Sequence, residues 1–181
     1  KAETYYKVRI TSLYDSKDGC SKRNKLGKDF TRDLLPRKLF ENYPEEIFKD
    51  KVRFNVWGED IDKNDYCIEE PGETKTSYTD PQGKEHDIKI KLYTLRLKKY
   101  TSKIFLQGTV NGYKSTIQEF SYSSNWILPE DGAQLIYVES DVITPDLCAN
   151  FSLEAFGAKD WMLFQTALKE ALDNHYKRGD A

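Results

Sequence analysis

The chain has 181 residues, 38% hydrophobic and 13% aromatic, with 28 Lys and Arg against 30 Asp and Glu for a formal net charge of −2. Such a composition excludes a disordered chain, suffices to bury a core without metal or disulfide, and carries no global field that would advertise nucleic acid. No apolar run approaches the roughly 20 residues that cross a bilayer and no basic-then-apolar leader opens the sequence, so the expectation is one domain over residues 1–181 with no membrane span, cytoplasmic, secretion being left open.

Tyr5–Leu13 alternates Tyr6, Val8 and Ile10 with Tyr5, Lys7, Arg9 and Thr11, the period of two that marks a half-buried strand. A polar, basic, glycine-punctuated loop follows over residues 15–32. Pro36 can stand in the first turn of a short helix whose apolar stripe is Leu35, Leu39, Phe40 and Tyr43, and Pro44 must interrupt it and start another turn. Lys51–Trp57 alternates again, with Val52, Phe54 and Val56 on one side and Arg53, Asn55 and Trp57 on the other. From Gly58 to about residue 87 the composition reads as a long polar loop, ended by a type I turn at Asp80-Pro81-Gln82-Gly83.

Ile88–Tyr100 is the longest strand signal. Ile88, Ile90 and Leu92 alternate with Lys89, Lys91 and Tyr93, after which Leu95 and Leu97 continue one step out of phase. A slip of one residue turns side chains to the opposite face, so a β-bulge or bend is expected near Tyr93 and Thr94. Farther on, Asn111-Gly112 is a type I′ hairpin signal that would set Val110 opposite Tyr113, Gly108 opposite Ser115 and Leu106 opposite Ile117. In that register Phe120 joins Phe105 and Gln107 on the polar side. Gln134–Glu139, with its continuous apolar centre, suggests a strand buried on both faces. Asp160 opens a C-terminal helix with Trp161, Phe164, Leu168, Leu172 and His175 at helical spacing and an Asp173–Lys177 pair on its surface.

These elements predict an α+β fold: a curved antiparallel sheet of about six or seven strands, short helices after the first strand, and a long C-terminal helix packed on the sheet. The element order is similar to the helix-grip arrangement of plant pathogenesis-related and steroid-transfer domains, an analogy of architecture that carries no function.

No catalytic constellation emerges. Asp60, Asp62 and Asn64 have the spacing that begins a calcium loop, but Asp65 stands where glycine is required and Pro71 where the bidentate glutamate belongs, so a solvated acidic loop is expected. Glu73-Thr74-Lys75 after these aspartates resembles a nuclease carboxylate set only superficially, since that chemistry needs a rigid strand and Pro71-Gly72 precedes it. His86 and His175 read as hydrogen-bonded packing residues. Cys20, Cys67 and Cys148 have no metal-binding or disulfide-framework spacing and read as reduced thiols, so neither metal nor cofactor is expected.

The suggestive feature is a pooled polar face. If the strands share a sheet, Lys7, Arg9, Arg53, Lys89 and Lys91 lie with Trp57 and Tyr93 among them, cations able to position phosphates or carboxylates and rings able to anchor a partner. The competing explanation is ordinary solubility and edge protection. The leading expectation is a non-enzymatic interaction module with a protein partner. Nucleic acid on the same basic face is one alternative; an apolar small molecule held between sheet and C-terminal helix, near Tyr6, Phe54, Trp161 and Phe164, is the other.

Overall fold

The computed structural model describes residues 31–67, 69–96, 101–110, 113–121, 126, 133–144 and 157–177. The expected strand Tyr5–Leu13 lies outside them, and so do the Asn111-Gly112 pair, Leu97, Cys20 and Cys148. Two units make up the chain, Lys1–Ile61 and Asp62–Ala181.

In the first unit the two prolines act as their chemistry requires. Helix α1, Leu34–Asn42, holds Pro36 in its first turn, and α2, Pro44–Phe48, has Pro44 where a missing N–H costs nothing. Phe40 is buried with its ring 6.3 Å from Phe48, and Tyr43 lies 5.3 Å from Phe54. The expected strand Lys51–Trp57 shrinks to β1, Asn55–Val56, which pairs antiparallel with β2, Glu59–Asp60.

The second unit begins with α3, Lys63–Tyr66, capped by Asp62, whose carboxylate accepts from the Asn64 amide at 2.8 Å. Asp62 is thus a helix cap. The sheet then forms from β3, Gly72–Thr79; β4, Glu85–Thr94; β5, Lys103–Val110; β6, Tyr113–Phe120; and β7, Gln134–Ser140. Among the described residues its order is β3-β4-β7-β5-β6, five strands in an open sheet. The stretch expected as a loop over residues 58–87 therefore contains β2, α3 and all of β3. Gly72–Thr79 is polar on one side and rich in threonine, so it hides as a strand until β4 pairs with it throughout.

β7 explains why the sheet is mixed and not a plain antiparallel meander. Gln134, Leu135, Ile136, Tyr137 and Val138 are all buried, so both faces of the strand need cover and a central place. It runs antiparallel to β4 and parallel to β5, separating two strands that follow one another in sequence.

The expected bulge in β4 is absent: its register with β7 runs unbroken from Ile88 to Thr94. The phase change arises because Tyr93 and Leu95, on the same side as Lys89 and Lys91, are each only 2% exposed. The face changes from wet to dry along the strand, and the strand itself does not slip. A bulge occurs instead in the β5–β6 hairpin. Val110 pairs with Tyr113 as expected, but Thr109 faces Lys114 and Gly108 faces Thr116, so Ser115 is extra and every later pair is displaced. Leu106 meets Gln118, and Phe120 meets Ile104 on the core face instead of joining the polar side.

Helix α4, Ala158–Lys177, covers that core face. Gly157, at φ 74°, accepts the Trp161 amide at 3.0 Å as the helix begins. The buried stripe is Trp161, Phe164, Leu168 and Leu172, but Tyr176 continues it while His175 is exposed. Asp173 pairs back to Lys169 at 2.7 Å. Aromatic rings run across the interface from Trp126 to Phe120, Trp161, Phe164, Tyr78 and His86, each centroid between 5.3 and 6.0 Å from the next. Such contacts are directional, so they fix how the helix lies on the sheet.

Leu168→Ala, at a fully buried position, is expected to cost about 2–5 kcal/mol. Leu163→Ala on the exposed side of the same helix should stay within about 0.5 kcal/mol in urea unfolding.

Candidate functional site

The sequence-derived binding residues fall into two settings. Arg53 and Trp57 belong to the first unit, Lys89, Lys91 and Tyr93 to the second, and Lys7 and Arg9 lie outside the described residues.

Trp57 sits with Gly58 in the two-residue loop joining β1 to β2. Both have positive φ, 53° and 87°, the combination that a tight hairpin turn requires and that asparagine followed by glycine meets with least strain. The loop is held from below: Asn55 Oδ1 accepts the Gly58 amide at 3.1 Å, and Asn55 Nδ2 donates to Asp60 Oδ1 at 2.8 Å. Tryptophan in this conformation costs roughly 1–2 kcal/mol relative to a permissive residue. Half of its surface is nevertheless exposed, at 50%. Asp60, one of the apparent calcium ligands, serves this turn.

The sheet face opposite α4 has two ends. At one, Tyr93, Leu95, Phe105, Leu135 and Tyr137 are buried, with Tyr137 edge-on to Tyr93 at 5.5 Å and stacked on Phe105 at 5.1 Å. Tyr93 therefore shares a face with Lys89 and Lys91, as its spacing requires, but is a packed residue and no surface ring. At the other end the face is charged. Lys89 stands between Lys75 on β3 and Glu139 on β7, and Lys91 between Glu73 and Tyr137. Glu85, Asp87, Lys89, Glu139, Ser140 and Asp141 line an open depression of about 510 Å³. Carboxylates thus interleave with the lysines that the sequence pattern placed on a basic face. Gln107, buried on this face, donates to Glu139 at 2.9 Å.

At the rim of the depression is a cluster that the sequence reading treated as packing alone. His86, 6% exposed, approaches Asp141 Oδ1 through Nδ1 at 2.8 Å and Asp80 Oδ2 through Nε2 at 3.0 Å. Asp80 Oδ1 meanwhile accepts the Gln82 and Lys84 amides at 2.9 and 2.8 Å in the expected turn, whose Gly83 amide bonds the Asp80 carbonyl at 3.0 Å. Lys84 Nζ reaches Asp141 Oδ2 at 3.1 Å and closes the ring. The hydrogen bond from His86, with those from the turn amides, holds the Asp80 carboxyl below its ordinary value; the bond to Asp80 foremost raises His86. For Asp141, burial acts upward, but His86 and Lys84 outweigh it and the net shift is down. The sequence signal was available in the turn's Asp80 and in His86 six residues later, but nothing linked either to Asp141.

Tyr78 stacks on His86 at 5.3 Å, and among the described residues its buried hydroxyl has no hydrogen-bond partner; neither does Asp160 Oδ1 in the first turn of α4. Burial first, then the charges of Asp160, Asp141 and Asp80, push the Tyr78 phenol up to about 12, so it stays protonated. Cys67 is a free, buried thiol, likewise pushed up to about 12 by burial. With both nitrogens of His86 occupied by carboxylates, that ring has no open position for a substrate proton. Among the described residues no group of three or more His, Cys, Asp or Glu is arranged to hold a metal, and no helix is long and apolar enough to cross a membrane.

No family model, curated protein or solved structure matches the chain.

Removing an unpartnered buried hydroxyl while keeping the ring stacked on His86 relieves a desolvation cost. Tyr78→Phe is accordingly expected to leave stability unchanged or to raise it by about 1 kcal/mol, read from the urea midpoint at constant m-value.

Proposed function

We propose that this chain is a non-enzymatic binding module that recognises a protein partner, with Trp57 as the aromatic anchor of the first unit and, separately, Lys89 and Lys91 as charged contacts on the sheet face of the second. The observation that carries the reading is the placement of Trp57: a large apolar ring, half exposed at a hairpin tip, in a backbone conformation it adopts at a cost. A strained turn residue that leaves half of a large ring exposed keeps apolar surface available to a partner, and tryptophan is among the residues enriched where one side chain dominates an interface. Support also comes from the His86 ring, which is engaged on both sides by carboxylates and so is not offered as a general base.

The choice of a protein over the alternatives rests on the company the lysines keep. Glu85, Asp87, Glu139 and Asp141 around Lys89 would repel a phosphate backbone, whereas a protein surface offers both signs of charge. The rings that a carrier of apolar molecules would need as pocket walls, Trp161 and Phe164, are stacked on one another at 5.6 Å and packed on Phe120 and Tyr78.

The test separates binding from folding. Trp57→Asn places a turn-compatible residue in the loop and is expected to raise stability by about 1 kcal/mol while abolishing retention of a stoichiometric protein partner by the full chain in affinity capture. Lys89→Glu with Lys91→Glu should weaken the same capture in a salt-dependent way. Loss of stability in Trp57→Asn would make the ring structural, and capture unaltered by both variants would remove the proposal. Nucleic acid, or a small molecule released on unfolding, in place of a protein would decide for one of the alternatives.

A further inference from the structure

We propose that His86, held as an imidazolium between Asp80 and Asp141, is a pH-sensitive latch that fastens the chain leaving β7 to the β3–β4 turn, and that it releases on the Asp141 side when the ring loses a proton.

The protonation follows from the geometry. Each ring nitrogen lies at hydrogen-bond distance from a carboxylate oxygen, 2.8 Å to Asp141 and 3.0 Å to Asp80. An ionised carboxylate only accepts, so both nitrogens must donate, and only the imidazolium does so. The groups facing the ring complete a neutral set: Asp80 and Lys84 from the turn, Asp141 from the end of β7, and Tyr78 stacked from β3, with Asp160 of α4 acting on Tyr78. Two cations and two carboxylates form the ring, and the tyrosine beside them is uncharged.

The direction of release follows from unequal burial. A neutral imidazole donates once, so deprotonation must abandon one carboxylate. The Asp80 side chain is 11% exposed and is tied to two backbone amides, whereas Asp141 is 52% exposed and retains Lys84. Leaving a buried carboxylate without its donor costs more than returning a half-exposed one to water, so the remaining proton stays toward Asp80. Asp141, on the lip of the depression, then keeps only the exposed Lys84 contact and that of the adjacent Ser140 hydroxyl, so the fastening loosens at the turn in which the Ile143 amide bonds Ser140 at 3.1 Å.

Linkage sets the window. His86 is raised, so its contribution is complete below the ordinary 6.5 and disappears as pH rises through the raised value. Asp80 and Asp141 are lowered, so theirs is complete above the ordinary 3.8 and disappears as pH falls through the lowered values. The latch is therefore fully closed between 3.8 and 6.5, weakens above, and is open in strong acid and in alkali.

The experiment is a pH titration of the ¹⁵N-labelled full chain, following the His86 ring nitrogens and the amides of Ser140–Ile143 and of Gln82–Lys84. Two protonated nitrogens at pH 6, a midpoint above 6.5, and Ser140–Ile143 amides moving at that midpoint while Gln82 and Lys84 stay nearly still are the expected results. Asp141→Asn, at an exposed position that leaves the turn intact, should lower the midpoint toward 6.5 and uncouple the β7 end from it; His86→Gln should abolish the transition. An unprotonated ring nitrogen at pH 6, or β7-end amides that ignore the His86 midpoint, would overturn the latch, as would a midpoint unmoved in Asp141→Asn.

Discussion

Everything in the second unit depends on β7 being apolar on both sides. Ile136 and Val138 face α4, while Leu135 and Tyr137 face the other way, and none of the four is more than 2% exposed. A strand of that kind is stable only in the middle of a sheet, so β4 and β5 are held apart and the β5–β7 pair must be parallel. The same insertion brings the end of β7 beside the start of β4, where Ile88 pairs with Ser140. Asp141 is then one residue beyond that pair and within reach of His86. The charged ring at the rim is a consequence of strand order.

Much of this was legible because local chemistry and tertiary demand agree. The prolines of α1 and α2, the Asp80 turn, the double-sided burial of β7 and the stripe of α4 each follow from a rule that acts over a few residues. The failures share a different cause. β3 was hidden because its threonine and lysine pattern acquires meaning only when β4 supplies the partner. Leu95 suggested a slip because periodicity presumes that a face has one environment along its length, and here the face passes from Lys89 and Lys91 to Tyr93 and Leu95. The hairpin register went astray at a single extra residue, Ser115, which no turn rule detects. His86 and Asp141 are 55 residues apart, and a contact at that distance has no local signature.

Trp57 is a conflict between levels of a kind that natural sequences tolerate where something other than folding is selected. The remainder of its hairpin is locally consistent: Asn55 receives the turn amide, Asp60 receives Asn55, and Gly58 accepts positive φ without a Cβ to object. Only the tryptophan opposes the turn, and only the tryptophan is large and exposed there. A residue retained for packing would be expected to bury its ring; one retained for the turn would be small.

The sheet face shows why sign segregation in a sequence is weak evidence for a charged surface. Alternation placed Lys89 and Lys91 on one side correctly, but a sheet sets each of them beside residues from other strands. Pairing with β3 and β7 gives Lys89 a lysine on one flank and a glutamate on the other. Opposite charges across strands stabilise the sheet by a few tenths of a kcal/mol and like charges oppose it, so the net contribution to folding is small. A mosaic of both signs discriminates by position, so the binding role proposed above requires a partner that matches where each charge lies as well as the total.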